Sequence, residues 1–115
     1  MAELDINARQ AGDITILDLN GSVRMGEGAV ALRNSIRGLI DGGKKKILLN
    51  LARVSYIDSS GIGELVSSYT SIGKEGGQLK LLNLTQKLQD LLTITKLLTV
   101  FDVYDSEEEA LASFK

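Results

Sequence analysis

The sequence predicts an α/β fold in which helices pack on a mixed β-sheet. Apolar residues switch repeatedly along the 115 residues between the two-residue period of strands and the three- and four-residue spacing of helices. The first two strand-like segments follow each other directly, whereas helical segments separate all later ones. Direct turns join antiparallel strands and helical crossovers join parallel ones, so the sheet should be mixed. The predicted order is β-β-α-β-α-β-α-β-α, in one domain over residues 1–115.

The composition is that of a globular protein with little net charge. Hydrophobic residues make up 43% and charged residues 24%, and the net charge is −2. Nucleic acid is not an expected partner, because phosphate binding needs a clear basic excess. The absence of cysteine excludes disulfides, thiolate chemistry and cysteine-based zinc sites, and no metal or cofactor is predicted. No segment has a signal core or membrane-spanning length, so we expect a cytosolic protein without membrane insertion.

The N-terminal segments predict a hairpin followed by a helix. Leu4, Ile6 and Ala8 share one face of a strand, and ITILDLNG, residues 14–21, is a strand that is apolar on both faces. AGD between these strands predicts an antiparallel turn. The segment GSVRMGEG predicts a loop. Helical spacing then appears and ends at DGG, with the apolar positions Ala29, Leu32, Ile36, Leu39 and Ile40.

Three further strands alternate with three helices. The strands are predicted at KILLNL (46–51), QLKLLNL (78–84) and VFDVY (100–104). ARVSYIDSS is predicted as a loop after the first of them. The next helix has an apolar stripe at Ile62, Leu65, Val66, Tyr69 and Ile72.

Two capping residues mark the starts of the last helices. Thr85 is predicted to cap a short helix bearing Leu88, Leu91 and Leu92, whose leucines we interpret as core. Ser106, with Glu109 three residues later, predicts a capping box at the start of the C-terminal helix.

The stretch IDSSGIGE combines polar residues and glycines at the entrance of a helix. Asp58, Ser59 and Ser60 are all suitable N-cap residues, although one cap needs only one of them. Gly61 and Gly63 each weaken a helix by up to about 1 kcal/mol, and glycines let another backbone or a phosphate come close. A helix N-terminus also attracts anions. Two interpretations stay open: the polar residues only cap the helix, or one serine is a phosphorylation switch.

The segment LLNLARVSYIDSSGIGELVSSY resembles the signature of the STAS domain, in particular the anti-sigma factor antagonist group. The resemblance covers nearly the whole chain and implies a single STAS-like domain with helices packed on a mixed sheet. It implies that Ser59, directly after the aspartate, is the phosphorylated residue. It also implies that the unphosphorylated form binds an anti-sigma factor that is a GHKL-type serine kinase, and that phosphorylation releases this partner. A phosphatase is a further implied partner.

The same resemblance implies a partner-binding surface around the switch. Its predicted members are Arg24, Asp58, Ser60, Gly61, Ile62, Gly63 and Glu64. One loop departs from the family pattern: many antagonists have an acidic pair around G-E-L-D, where this chain has Ser22 and Arg24. Arg24 is then either an exposed surface cation or a ligand of the phosphate on Ser59. The departure suggests a variant signalling branch or a kinase with altered surface charge.

Two other classes of function are weighed against the switch. A constitutive structural STAS subunit, in a stress-signalling or lipid-transport complex, would use the same fold without modification of the serine. A hydrolase would need a base for Ser59, and only Asp58 or a lysine could serve. SIGK at residues 71–74 matches S-x-x-K but lacks the accompanying motifs of that enzyme class. We therefore expect a binding protein with no catalytic residue.

Overall fold

The computed structural model describes residues 3–114 and confirms the predicted order of elements. These are β1 (Leu4–Ala11), β2 (Ile14–Val23), α1 (Glu27–Asp41), β3 (Lys46–Ile57), α2 (Ser59–Lys74), β4 (Gln78–Leu82), α3 (Gln86–Ile94), β5 (Val103–Tyr104) and α4 (Glu107–Ser113). The strands lie in the order β1-β2-β3-β4-β5, with β1 antiparallel to β2 and all other neighbours parallel. The sheet is mixed because only the first connection is a hairpin.

Helices cover both faces of the sheet, but unequally. The larger apolar cluster joins one face of the strands to α1, α2 and α3, through residues such as Leu32, Leu65 and Leu88. The smaller cluster joins the other face to α4, where Ala110 packs with Ile16. Strands β2 and β3 are therefore apolar on both faces where helices cover them. No helix within residues 3–114 has both the length and the apolar character needed to cross a membrane.

The central strand is longer than predicted. The sequence predicts that a loop follows Leu51, but β3 continues to Ile57 alongside β2. Val54 and Ile57 are buried, whereas the residues between them are exposed, so this polar segment is a strand with one covered face. Register shifts within the β2–β3 pair break the simple alternation that marks a strand in the sequence. Strand β2 likewise extends to Val23, which shortens the predicted loop.

The last two strands are shorter than predicted. Strand β4 ends at Leu82 because Asn83 has a left-handed backbone, with φ of 57°, which turns the chain out of the sheet. Only Val103 and Tyr104 of the predicted fifth strand pair with β4. Phe101 is buried outside the strand and packs edge-on against Tyr69, with ring centroids 5.3 Å apart.

Both predicted helix caps are confirmed. The hydroxyl of Thr85 accepts a hydrogen bond from the Leu88 N–H, and the hydroxyl of Ser106 accepts one from the Glu109 N–H. The second bond is the serine half of the predicted capping box. Helix α1 ends at Asp41 with Gly42 as its C-cap, as the DGG sequence predicts.

Candidate functional site

Asp58 joins three pieces of backbone at the edge of the sheet where β2 and β3 end. Its Oδ1 accepts a hydrogen bond from the Gly61 N–H at 2.9 Å, which makes Asp58 the N-cap of α2. Its Oδ2 accepts one from the Met25 N–H at 3.0 Å, in the loop after β2. The backbone N–H of Asp58 donates to the Val23 carbonyl. These bonds hold the start of α2 against the end of β2.

The bonds to Asp58 favour its charged form. Backbone hydrogen bonds from Met25 and then Gly61 lower the pKa of the Asp58 carboxyl below its usual value, because they stabilise the carboxylate. The carboxylate therefore stabilises the fold most at a pH above the pKa of an unfolded aspartate, about 3.9. That contribution is lost as the pH falls through the lower pKa of the folded state.

Replacing Asp58 by alanine should lower the melting temperature by about 5 °C at neutral pH, the usual effect of losing one helix cap. The difference from the wild type should stay constant above about pH 5 and shrink as the pH falls, since the wild-type carboxylate becomes protonated. Thermal melts from pH 7 to pH 2.5 measure this. Ser60→Ala is the matched control and should melt like the wild type. An Asp58→Ala deficit that persists unchanged at pH 2.5 would contradict the role of the charge.

Neither serine after Asp58 takes part in capping. Ser59 is the first residue of α2 and is exposed, while Ser60 is half-buried. Within residues 3–114 the hydroxyls of Ser59 and Ser60 make no hydrogen bond. Capping therefore accounts for Asp58 but leaves the two hydroxyls without a structural role.

The two glycines of the motif have different surroundings. A Cβ on Gly61 would lie 2.0 Å from the Val23 carbonyl oxygen and 2.6 Å from Cγ1 of Ile57. Gly61 thus permits the close approach of another backbone. The sequence had indicated that a glycine here admits either a backbone or a phosphate, and at Gly61 the neighbour is backbone. Gly63 is exposed and has nothing within 4 Å of where its Cβ would be. It lies one helical turn after Ser59 and leaves the neighbouring surface bare.

An apolar groove runs between the start of α2 and the length of α3, with a volume of about 550 Å³. We call it the α2–α3 groove. Ser59 lies in its wall, and Ile94 at the end of α3 is 77% exposed. Its lining residues are Tyr56, Ile57, Asp58, Ser59 and Ile62 on one side, and Lys87, Asp90, Leu91, Ile94 and Thr95 on the other. An exposed apolar lining of this kind is typical of a docking surface.

Arg24 lies near the groove but already has an acidic partner. Its guanidinium donates to the Glu3 carboxylate, which raises the pKa of Arg24, and it lies 5.8 Å from the ring centroid of Tyr56. Ser22 lies in β2, and its backbone N–H donates to the Glu3 carbonyl. The predicted contact between Arg24 and a phosphate on Ser59 stays a prediction.

Glu64 points away from the groove toward α1. Its carboxylate accepts a hydrogen bond from Nε of Arg33 at 3.0 Å, which ties α2 to α1. Ile62 is buried and packs in the larger apolar cluster while it also lines the groove. The structure therefore brings Asp58, Ser59 and Ile62 together and places Glu64 at the margin.

Much of the apolar lining of the groove was missed at the level of sequence. Tyr56 falls in a segment predicted as loop, and the leucines of α3 were interpreted mainly as core rather than as a partner groove. Ile94 offered a signal, because it lies off the helical stripe that Leu88 and Leu92 form. An aliphatic residue outside the buried stripe indicates an exposed apolar surface.

A second cavity of about 510 Å³ is lined by residues of β1, β2 and β3, among them Arg9, Asp18 and Asn50. Arg9 spans it: Nε donates to Asp18 at 2.7 Å and Nη1 donates to Glu107 at 3.0 Å. Arg9 lowers the pKa values of both carboxyls, and Asn50 also donates to Asp18. This network ties α4 to β1 and β2.

No group of three or more potential metal-binding side chains of the His, Cys, Asp and Glu types occurs within residues 3–114.

Comparison with protein families gives one match over most of the chain. The model of the STAS domain matches residues 5–110. Among curated proteins, the anti-sigma-B factor antagonist of Bacillus subtilis (strain 168) is 33% identical over 106 residues. That alignment covers 92% of this chain and 87% of the relative.

Solved structures share the same fold. A crystal structure of a candidate anti-sigma factor antagonist from Thermotoga maritima has a TM-score of 0.88 and 26% identity, and covers 95% of this chain and 93% of its own. The Bacillus cell fate determinant SpoIIAA in its phosphorylated form has a TM-score of 0.74 and covers 94% of this chain and 97% of its own. At 22% identity, the second likeness shows the fold alone.

Proposed function

Because this chain belongs to the STAS domain family, we propose that it is a phosphorylation-switched binding protein, without catalytic residues, and that residues 1–115 form one domain. Unmodified, it binds an anti-sigma factor that is a serine kinase of the GHKL type, and so regulates transcription from the cytosol. Phosphorylation of Ser59 releases this partner, and a phosphatase restores binding. The name of the Bacillus subtilis relative supports the class of partner.

One observation carries the proposal. Ser59 has an exposed hydroxyl at the first residue of α2, without a hydrogen bond in the described chain, and it lies in the wall of an apolar groove. A kinase needs such an accessible hydroxyl. A helix N-terminus also tolerates a phosphate, because its free N–H groups and dipole favour negative charge. Modification at this point can therefore change the groove without unfolding the helix.

The partner surface that we propose combines the groove with the start of α2. Tyr56, Leu91 and Ile94 supply apolar contacts to the partner, and the partner contacts Ser59 beside them. Asp58, Ser60 and Gly63 border this surface, Ile62 lines it although it is largely buried, and Gly61 is buried beneath it. Arg24 and Glu64 lie at its margins, each paired with a residue of opposite charge.

We expect Ser59 rather than Ser60 to take the phosphate, because Ser59 is exposed and Ser60 is half-buried. After incubation with a GHKL-type serine kinase that phosphorylates the wild-type protein, Ser59→Ala should incorporate no phosphate and Ser60→Ala should retain most of it. Intact mass and peptide mapping measure the incorporation. A phosphate mapped to Ser60 would show that the assignment is wrong. A kinase that binds the groove without modifying either serine would favour a constitutive structural subunit.

A further inference from the structure

We infer that Lys87 pairs with the phosphate on Ser59, and that this ion pair closes the mouth of the α2–α3 groove. The inference rests on the proposed function, since it concerns the modified form of the same serine. The ion pair would act together with the repulsion that the new charge exerts on a partner, because it obstructs the groove from within the same molecule.

Lys87 and Ser59 line the same groove from different helices. Ser59 is the first residue of α2, and Lys87 lies in the first turn of α3. Lys87 is exposed and has no ion pair within residues 3–114. Its ammonium is at the end of a flexible four-carbon stem, so it can follow a phosphate without movement of the backbone.

The charges around the groove favour a cation beside a phosphate on Ser59. Among the residues that line the groove, Lys87 is the basic one, and Asp58 and Asp90 are acidic. Asp58 already accepts backbone N–H groups and Asp90 accepts a hydrogen bond from the Gln86 side chain at 2.8 Å. A phosphate on Ser59 adds about −1.5 to −2 charge to a lining that already contains these two carboxylates. Lys87 is the lining side chain that can offset the charge left after the N–H groups at the start of α2 have compensated part of it.

Arg24 is the competing cation. Its guanidinium is held by the Glu3 carboxylate, so a bond to the phosphate would require it to leave or share that pair. Lys87 has no such bond to give up. The ion pair with Lys87 therefore forms at lower cost, and it spans the groove where a partner's apolar side chains would enter.

The test places phosphoserine at position 59 by genetic encoding, so that it needs no kinase. The phosphate is titrated by ³¹P NMR in the otherwise wild-type protein and in three variants. Lys87→Gln should raise the second pKa of the phosphate, ordinarily near 6, by about 0.2 to 0.7 pH units. Lys74→Gln, in the last turn of α2 and outside the groove, removes the same charge and should leave the titration unchanged.

Arg24→Gln separates the two candidate cations. A larger rise in Arg24→Gln than in Lys87→Gln would overturn the inference and assign the phosphate to Arg24. Equal titrations of Lys87→Gln and the wild type would also overturn it. Either result leaves the proposed function standing. Conversely, a kinase that does not modify Ser59 would contradict the proposed function without affecting this titration.

Discussion

Phosphorylation of Ser59 is expected to weaken partner binding by roughly a hundredfold while α2 stays folded. The phosphate adds about −1.5 to −2 charge beside Asp58 and Asp90 in the groove wall. The N–H groups of the helix offset part of that charge for this protein. A docked partner has no such compensation and must desolvate the dianion or meet it with its own groups, which costs about 3 kcal/mol. Each 1.4 kcal/mol changes affinity about tenfold.

Calorimetry of modified and unmodified protein against the partner measures this loss, and circular dichroism measures the helix. Ser59→Asp should weaken binding less than phosphorylation does, because a carboxylate has less charge and fewer acceptor oxygens. Ser71→Asp is the matched control: it adds the same charge in the last turn of α2, outside the groove, and should leave binding unchanged. Unchanged affinity after phosphorylation would contradict the electrostatic account. So would a loss of binding accompanied by unfolding of α2 from Gly61 onward.

Replacing Gly61 by alanine should destabilise the protein by about 2–3 kcal/mol. The new Cβ would lie 2.0 Å from the Val23 carbonyl oxygen, which is backbone at the end of β2 and cannot rotate away. Either α2 moves outward or the bonds from Met25 and Gly61 to Asp58 lengthen. Urea unfolding at neutral pH measures the change in the free energy of unfolding.

Gly63→Ala is the matched control for this substitution. Its Cβ would meet nothing within 4 Å, and alanine is the better helix former, so the protein should gain about 0.5–1 kcal/mol. The two substitutions therefore have opposite signs within one turn of helix. Equal stabilisation of both variants would mean that α2 is not held against β2 at Gly61.

Local sequence determined the order of elements and most helix ends. The helical stripe of α1, the DGG that ends it and the caps at Thr85 and Ser106 depend on residues within one or two turns of each other. Periodicity and capping act over that range, because they follow from backbone hydrogen bonds between near neighbours. The surplus of polar residues at this point suggested a switch, since one cap needs only one of the three, but the choice of Ser59 came from the resemblance to the STAS domain.

Only the tertiary structure decided which of the three is the cap and what surrounds Ser59. Asp58 is the residue that caps α2, and its second oxygen accepts a hydrogen bond from the N–H of Met25, 33 residues earlier in the chain. Arg24 is held by Glu3, and the groove needs α3 to lie beside the end of β3. No period in the sequence encodes such contacts, since they arise when crossover connections bring distant segments to one edge of the sheet. For the same reason the strand character of residues 52–57 became visible only in their pairing with β2.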